Sequence, residues 1–195
     1  MTARILTVCT GNICRSPLAE ALIRSGVEGL PVTVESAGTG ALDGEQATVE
    51  TVELGTQLAR VDLGSHRSRY LTEDILEGVD LVLTMTIRHS SSVLSLAPAL
   101  AKRTFTIREF AGLAASTDVS NLHSAEYPAG SGAADRLRAL AHALSAARGS
   151  VKFTPNQLQV ADPYRRGKQA YLDSAGQLVP AVDVVVQTLR TSLTR

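Results

Sequence analysis

Cysteine is nearly absent: only Cys9 and Cys14 occur in 195 residues, too few to staple a small fold with disulfides. Net charge is absent as well, because 19 basic and 19 acidic side chains cancel. A general nucleic-acid or anionic-membrane binder needs a basic surface, so charge excludes both classes of partner. No window approaches the ~18 consecutive apolar residues of a membrane-spanning helix. The apolar run between Met1 and Val8 stops at a polar loop, which is not the pattern of a secretory leader. What is present, 44% hydrophobic and 19% charged residues, is a globular composition. The length suits roughly one domain with some chain left over. These features predict a single domain over residues 1–195, in the cytoplasm.

The hydrophobic pattern alternates between strand and helix periods. Arg4–Cys9 is β-rich, and Ser16-Pro17 then opens an amphipathic stretch to about Glu28, with Ser16 as helix cap and Pro17 at the first helical position. Val32–Ser36 predicts a second strand, closed by Ala37-Gly38-Thr39-Gly40. Gln46–Ala59 predicts a helix with Val49, Val52 and Leu58 on its apolar side. Asp80–Met85 predicts a buried strand, Ile87–Leu96 a helix, and Arg103–Ile107 a short fourth strand followed by a helical turn. Gly112 to about Gly132 is rich in Ser, Ala, Gly, Asn and Pro and predicts a surface loop. Ala133–Arg148 and Lys168–Leu193 each carry an apolar helical stripe, the latter interrupted by Pro180, where a kink or a break is expected. The alternation predicts an α/β fold with a parallel sheet covered by helices on both faces.

In such sheets ligands bind where strand C-termini meet helix N-termini. Here the first strand runs directly into Cys9-Thr10-Gly11-Asn12-Ile13-Cys14-Arg15-Ser16-Pro17. Consecutive backbone N–H groups of such a loop, with the positive end of the helix behind it, can cradle an anion. Gly11 and Asn12 tolerate the positive φ angles of a cradle. Arg15 offers a planar fork of donors for two phosphate oxygens. The same field favours the thiolate at Cys9, aligned for attack on a bound phosphorus. The Cys-to-Arg spacing alone occurs by chance; its register with strand end and helix start makes it specific. The nucleotide-binding G-x-x-x-x-G-K-[ST] loop is missing. The second glycine turn, Gly38-Thr39-Gly40-Ala41-Leu42-Asp43, has Asp where a dinucleotide fingerprint needs glycine, and is assigned beside the phosphate loop. Leaving-group protonation needs an acid, and the candidate is Asp162 in Asp162-Pro163-Tyr164, where Pro163 restricts Asp162 to extended conformations. Tyr164 would wall a pocket for an aromatic ring.

C-T-G-N-I-C-R-S-P at 9–17, E-S-A-G-T at 35–39, H-R-S-R at 66–69 and D-P-Y at 162–164 together resemble the low-molecular-weight protein tyrosine phosphatases, over about residues 3–113 and 160–193. The resemblance implies a four-stranded parallel sheet of order 2-1-3-4. It also implies hydrolysis of protein phosphotyrosine through a phosphocysteine, without metal or other cofactor. It carries over Cys9 as nucleophile, Arg15 as phosphate clamp and Asp162 as acid and then base. Thr10, Gly11, Ile13 and Cys14 complete the loop, Asn12 and Ser16 support it, and Ser36 and His66 occupy bracing positions. Ser16 would also stabilise the thiolate leaving group. A phosphotyrosine protein, with a cognate tyrosine kinase, is the implied partner.

Several readings compete. Cys14 is either a packed thiol or, by the resemblance, a backup that forms a disulfide with oxidised Cys9. Related bacterial enzymes acting on phosphoarginine carry Thr where Ile13 stands, so Ile13 and Tyr164 favour phosphotyrosine over a protein arginine phosphatase. An arsenate reductase coupled to a low-molecular-weight thiol would need only Cys9, but has no leaving alkoxide for Asp162 to protonate. A phosphoprotein-binding pseudophosphatase is disfavoured by the joint presence of nucleophile, clamp and acid. The four histidines show no metal-ligand spacing; His66 apart, His89, His123 and His142 are assigned as surface or packed residues. Arg165, Arg166 and Lys168 form a basic cluster that is either a solvated face or a contact for acidic residues flanking the phosphotyrosine. The region near Ala41-Leu42 lacks the pocket aromatic of many relatives. Residues 112–159 are an expected insertion before the acid loop, its 133–148 helix packing on the same core.

Overall fold

A computed structural model describes residues 2–117 and 131–194. Four strands, β1 (Ala3–Cys9), β2 (Val32–Gly38), β3 (Leu81–Thr84) and β4 (Thr104–Thr106), form one sheet of order β2-β1-β3-β4. All three pairings are parallel, with Ile5 opposite Val34 and Leu81, and Cys9 opposite Gly38. Successive strand side chains point to opposite faces, which divides the core. Ile5, Leu81, Leu83 and Phe105 face one side, Leu6, Val8 and Val82 the other. Among the described residues the α-helices are α1 (Arg15–Gly26), α2 (Val49–Ala59), α3 (Glu73–Leu76) and α4 (Ile87–Leu96), which lie between strands, and α5 (Ile107–Ser116), α6 (Ala133–Ala146) and α7 (Gly167–Leu193), which follow β4. Helices α1, α5, α6 and α7 bury residues in the first face's core; α3 and α4 cover the second.

Four local expectations change. Helix α1 starts at Arg15 with Cys14 at the cap position, so Ser16 is inside the first turn and its hydroxyl serves the loop rather than the helix end. Helix α2 starts at Val49, capped by the Thr48 side chain, and buries Thr51, Leu54 and Gly55 while Val49 and Leu58 face solvent. Buried Thr51 is satisfied by the Thr48 hydroxyl 2.8 Å away, which is why a polar residue can hold that face. After β4 the chain forms a ten-residue helix instead of a single turn, because Thr106 and Glu109 make a reciprocal capping box and Ile107, Phe110 and Leu113 are buried. Helix α7 is one element of 27 residues running through Pro180, so of the two expected alternatives the break into two helices is the one excluded. Pro180 is exposed, so water can take the carbonyl its missing N–H leaves free, while Tyr171, Ala175, Leu178, Val182, Val185 and Leu189 hold the opposite face in the core.

Of the expected 112–132 loop, residues to Ser116 belong to α5; residues 118–130, His123 among them, lie outside the described residues. Helix α6 fits its predicted stripe, burying Leu137, Leu140, Ala141 and Leu144 in the core that also holds β1 and β3 residues. Its Arg138 Nε donates to Asp80 Oδ1 at 2.7 Å, and the other oxygen of that buried carboxylate accepts Arg4 N–H at 2.9 Å. No helix among the described residues is long and apolar enough to cross a membrane.

Candidate active site

The β1–α1 loop closes around the Cys9 sulfur. Asn12 takes a left-handed φ of 53°, which turns its backbone N–H onto Cys9 Sγ at 3.3 Å. Of the two residues that tolerate a positive φ here, only Asn12 adopts one. Ser16 Oγ lies 3.0 Å from the same sulfur. Asn12 Nδ2 donates to Ser16 Oγ at 3.0 Å and to Ser36 Oγ at 2.8 Å. With its lone pair taken by Asn12, the Ser16 hydroxyl has its proton available for the sulfur, and the alternative acceptor, the Ala37 carbonyl, is farther at 3.4 Å. Cys9 therefore has two donors aimed at it and is 2% exposed.

A second layer fixes Asn12. Its carbonyl accepts His66 Nε2–H at 2.7 Å, and its Oδ1 accepts Arg69 N–H at 2.9 Å. Ser36 passes its own proton to Glu20 Oε2 at 2.6 Å. Ser36 and His66 thus both bond Asn12. Glu20 and Arg69 were missed, although Arg69 lies in the H-R-S-R segment and could have been singled out there. Gly38, paired with Cys9, is required by the close approach of this loop: a Cβ would lie 2.9 Å from Asn12 N and against the Thr10 carbonyl. Thr39 and Gly40 N–H groups bond the Cys9 and Thr10 carbonyls at 2.9 and 3.0 Å, so this turn does lie beside the loop.

Arg15 is 4% exposed. Its Nη2 meets Asp162 Oδ2 at 2.9 Å, its Nη1 donates to the Val160 carbonyl at 3.1 Å, and its Nε is buried with no partner. An unpartnered buried donor is costly, and this one belongs to the guanidinium beside Cys9. The segment bearing Asp162 is held by Val160 N–H to the Met85 carbonyl at 2.9 Å and Ala161 N–H to Gln177 Oε1 at 2.8 Å. That anchors it between the end of β3 and α7, with the Asp162 side chain 46% exposed. Cys9, Ile13, Arg15, Leu42, Asp162 and Tyr164 line one cavity of about 450 Å³, a size typical of small-molecule sites. Leu42 stands where an aromatic is lacking. Glu45 and Arg165 are also on its wall, and the Arg165 guanidinium lies 5.1 Å above the Tyr164 ring.

Two further groups border the loop: His89, expected only as a surface or packed residue, and Cys14, expected either as a packed thiol or as a backup for Cys9. His89 is buried, bonded through Nε2 to Thr10 Oγ1 at 2.9 Å and through Nδ1 to Thr86 Oγ1 at 3.0 Å. Burial, assisted by the Arg15 charge, pushes its pKa down to about 4. His89 is therefore a neutral brace on the Thr10 side of the loop, opposite His66. Cys14 Sγ lies 3.4 Å from the Tyr171 hydroxyl and 3.8 Å from that of Thr48. Burial pushes the Cys14 thiol up, and burial with the Cys14 contact pushes the Tyr171 hydroxyl up. Both cysteines are free thiols. No group of three or more His, Cys, Asp or Glu able to hold a metal occurs among the described residues.

Comparison with known proteins agrees with this geometry. Residues 4–146 match the family described as low molecular weight phosphotyrosine protein phosphatase, a span that includes the Cys9–Arg15 loop and ends before Asp162. The probable low molecular weight protein-tyrosine-phosphatase EpsP of Ralstonia nicotianae is 39% identical over 109 residues, 56% of this chain and 73% of that protein. The protein-arginine-phosphatase of Bacillus subtilis is 43% identical over 108 residues, 54% of this chain and 71% of that one. The crystal structure of a low molecular weight protein tyrosine phosphatase from T. tengcongensis superposes with a TM-score of 0.67 at 29% identity, covering 95% of this chain and 98% of the other. The chain belongs to the low molecular weight phosphotyrosine protein phosphatase family.

Proposed function

We propose that the protein hydrolyses phosphotyrosine in polypeptides, with Cys9, Arg15 and Asp162 as its catalytic groups. The Cys9 thiolate attacks phosphorus as the phosphorus–oxygen bond to the substrate breaks, and Asp162 gives its proton to the departing phenolate oxygen. Water then attacks the phosphocysteine, Asp162 takes the water's proton, and the thiolate leaves into the Ser16 and Asn12 donors. Arg15 and the loop N–H groups hold the equatorial oxygens throughout. The carrying observation is that buried Arg15 faces Asp162 at 2.9 Å while its Nε has no partner, both residues on the cavity that Cys9 lines. A bound phosphate supplies the missing acceptor. Ile13, Leu42 and Tyr164 give that cavity apolar walls suited to a phenyl ring.

A second reading, phosphoarginine hydrolysis, is favoured by Glu45 on the same wall, where a carboxylate would pair with a substrate guanidinium. The discriminating experiment is steady-state kinetics on phosphotyrosine peptides, phosphoarginine peptides and arsenate in parallel, with Cys9→Ser as blank. Higher kcat/KM on phosphotyrosine is expected. Faster phosphoarginine turnover would move the assignment to the second reading, and arsenate reduction without phosphate release would remove both. Asp162→Asn should lower kcat on phosphotyrosine about 10²–10⁴-fold and act less on substrates with a more acidic leaving group. We further propose that the chain acts as one domain in the cytoplasm, with a cognate tyrosine kinase supplying its substrate.

A further inference from the structure

Asp162 stands between two cavities. The first is lined by Cys9. The second, of about 580 Å³, is walled by Arg15 and Asp162 on the shared side and by Arg88, His89, Asn156 and Gln177 beyond them. On this outer wall His89 and Gln177 only brace Thr10 and Ala161, and Arg88 and Asn156 have no part in the chemistry at Cys9. Its charge is unbalanced: Asp162 is committed to Arg15 at 2.9 Å, and Arg88 makes no hydrogen bond or ion pair through its side chain among the described residues. His89 contributes no compensating or added charge near neutral pH, because its pKa lies at about 4. Gln177 spends its carbonyl oxygen on Ala161 N–H, which leaves its amide N–H₂ as a donor. One free cation and amide donors, without a free carboxylate, make a pocket for an anion.

We propose that this second cavity is a subsite for an acidic side chain next to the phosphorylated residue of a polypeptide substrate, with Arg88 as its cationic contact. The proposal rests on the phosphatase reading above. A substrate anchored by its phosphate on Arg15 already touches the wall both cavities share. Consecutive Cα atoms are about 3.8 Å apart, so the side chain flanking the phosphotyrosine leaves the backbone beside the wall that the two cavities share. The cluster at Arg165 is the rival for this role. Its arginine, however, is laid over the Tyr164 ring and shares the first cavity with Glu45, which offsets its charge. Asn156 and the adjoining Gln159 come from the segment between α6 and the acid loop, so this stretch of chain supplies one wall of the subsite.

The test is a matched pair of phosphotyrosine peptides, with glutamate or alanine flanking the phosphotyrosine, assayed beside p-nitrophenyl phosphate at low ionic strength. The wild-type protein should favour the glutamate peptide about threefold to tenfold in kcat/KM, the scale of a partly desolvated charge pair. Arg88→Ala should bring that ratio close to one, Arg88→Glu should invert it, and both should keep wild-type rates on p-nitrophenyl phosphate. No preference in the wild type, or a preference that survives Arg88→Ala and disappears in Arg165→Ala, overturns the subsite while leaving the phosphatase assignment intact. Failure of the wild type to hydrolyse p-nitrophenyl phosphate instead removes the phosphatase assignment, and the subsite with it.

Discussion

At the scale of single residues, two hydrogen bonds carry separate predictions. The Ser16 hydroxyl, 3.0 Å from Cys9 Sγ, matters most when the thiolate departs from phosphorus. A hydrogen bond to a charged group contributes about 1.5–3 kcal/mol, so Ser16→Ala should lower kcat roughly 10–100-fold, with the loss in the dephosphorylation step and KM little changed or lower. Burst kinetics with p-nitrophenyl phosphate would resolve it; an unchanged burst followed by an unchanged steady state would remove Ser16 from the chemistry. His89 makes a pH prediction. Its pKa falls from the ordinary 6.5 to about 4 in the folded protein, so between these values the unfolded chain binds more protons than the folded one. Stability contributed by this group is therefore complete above the unfolded value and lost as pH falls toward 4. Thermal unfolding followed from pH 7 downward should show His89→Gln losing less stability over that window than the wild type, whose Arg15, Arg88 and Asp162 neighbours are unchanged.

At the scale of elements, the site depends on how strand ends and helix starts meet. Gly38 lets β2 end against the phosphate loop, and Val160 and Ala161 tie the acid loop to β3 and α7. Helix α7 runs through Pro180, which gives up one hydrogen bond and crowds the carbonyl of Gly176. Its exposure keeps that cost small enough for the core face to outweigh it. Pro180→Ala should therefore stabilise the protein by about 1–3 kcal/mol, read as a rise in the denaturation midpoint with unchanged activity. A destabilised variant would mean that the helix needs the proline's bend. Element existence was readable from periodicity in α4, α6 and α7. It failed on the face of α2, where buried Thr51 and Gly55 displace Val49 and Leu58, because a Cβ on Gly55 would lie 2.8 Å from Leu63 Cδ1 and a larger residue would not fit.

At the scale of the molecule, α6 shares its buried residues with the sheet and α7 rather than making a core of its own. Leu137 is 0% exposed in that common core. Leu137→Ala should cost about 2–5 kcal/mol and leave a single unfolding transition by both circular dichroism and fluorescence. Two transitions would divide the chain into separate units. Arg138 on Asp80 adds a polar tie between α6 and the start of β3, at a carboxylate only 4% exposed on its side chain. The segment that follows α6 then reaches the second cavity through Asn156 and Gln159, so the extra length noted in the sequence ends beside the site.

The sequence by itself determined the loop from Cys9 to Pro17, the acid dipeptide and the α/β order. Phosphate binding by backbone N–H groups needs contiguous residues, and contiguous residues leave a readable motif. Helix periodicity likewise survives in any one stretch of chain. Only the tertiary structure decided who holds that loop. Glu20, Ser36, His66, Arg69 and His89 come from separate elements and meet around Asn12 and Thr10 through hydrogen bonds that no spacing encodes. It also decided that Arg15 and Asp162, 147 positions apart in the chain, stand 2.9 Å from one another. The physical reason is directional: a hydrogen bond or ion pair depends on where strand register and helix packing bring two side chains, and neither can be read from either segment alone.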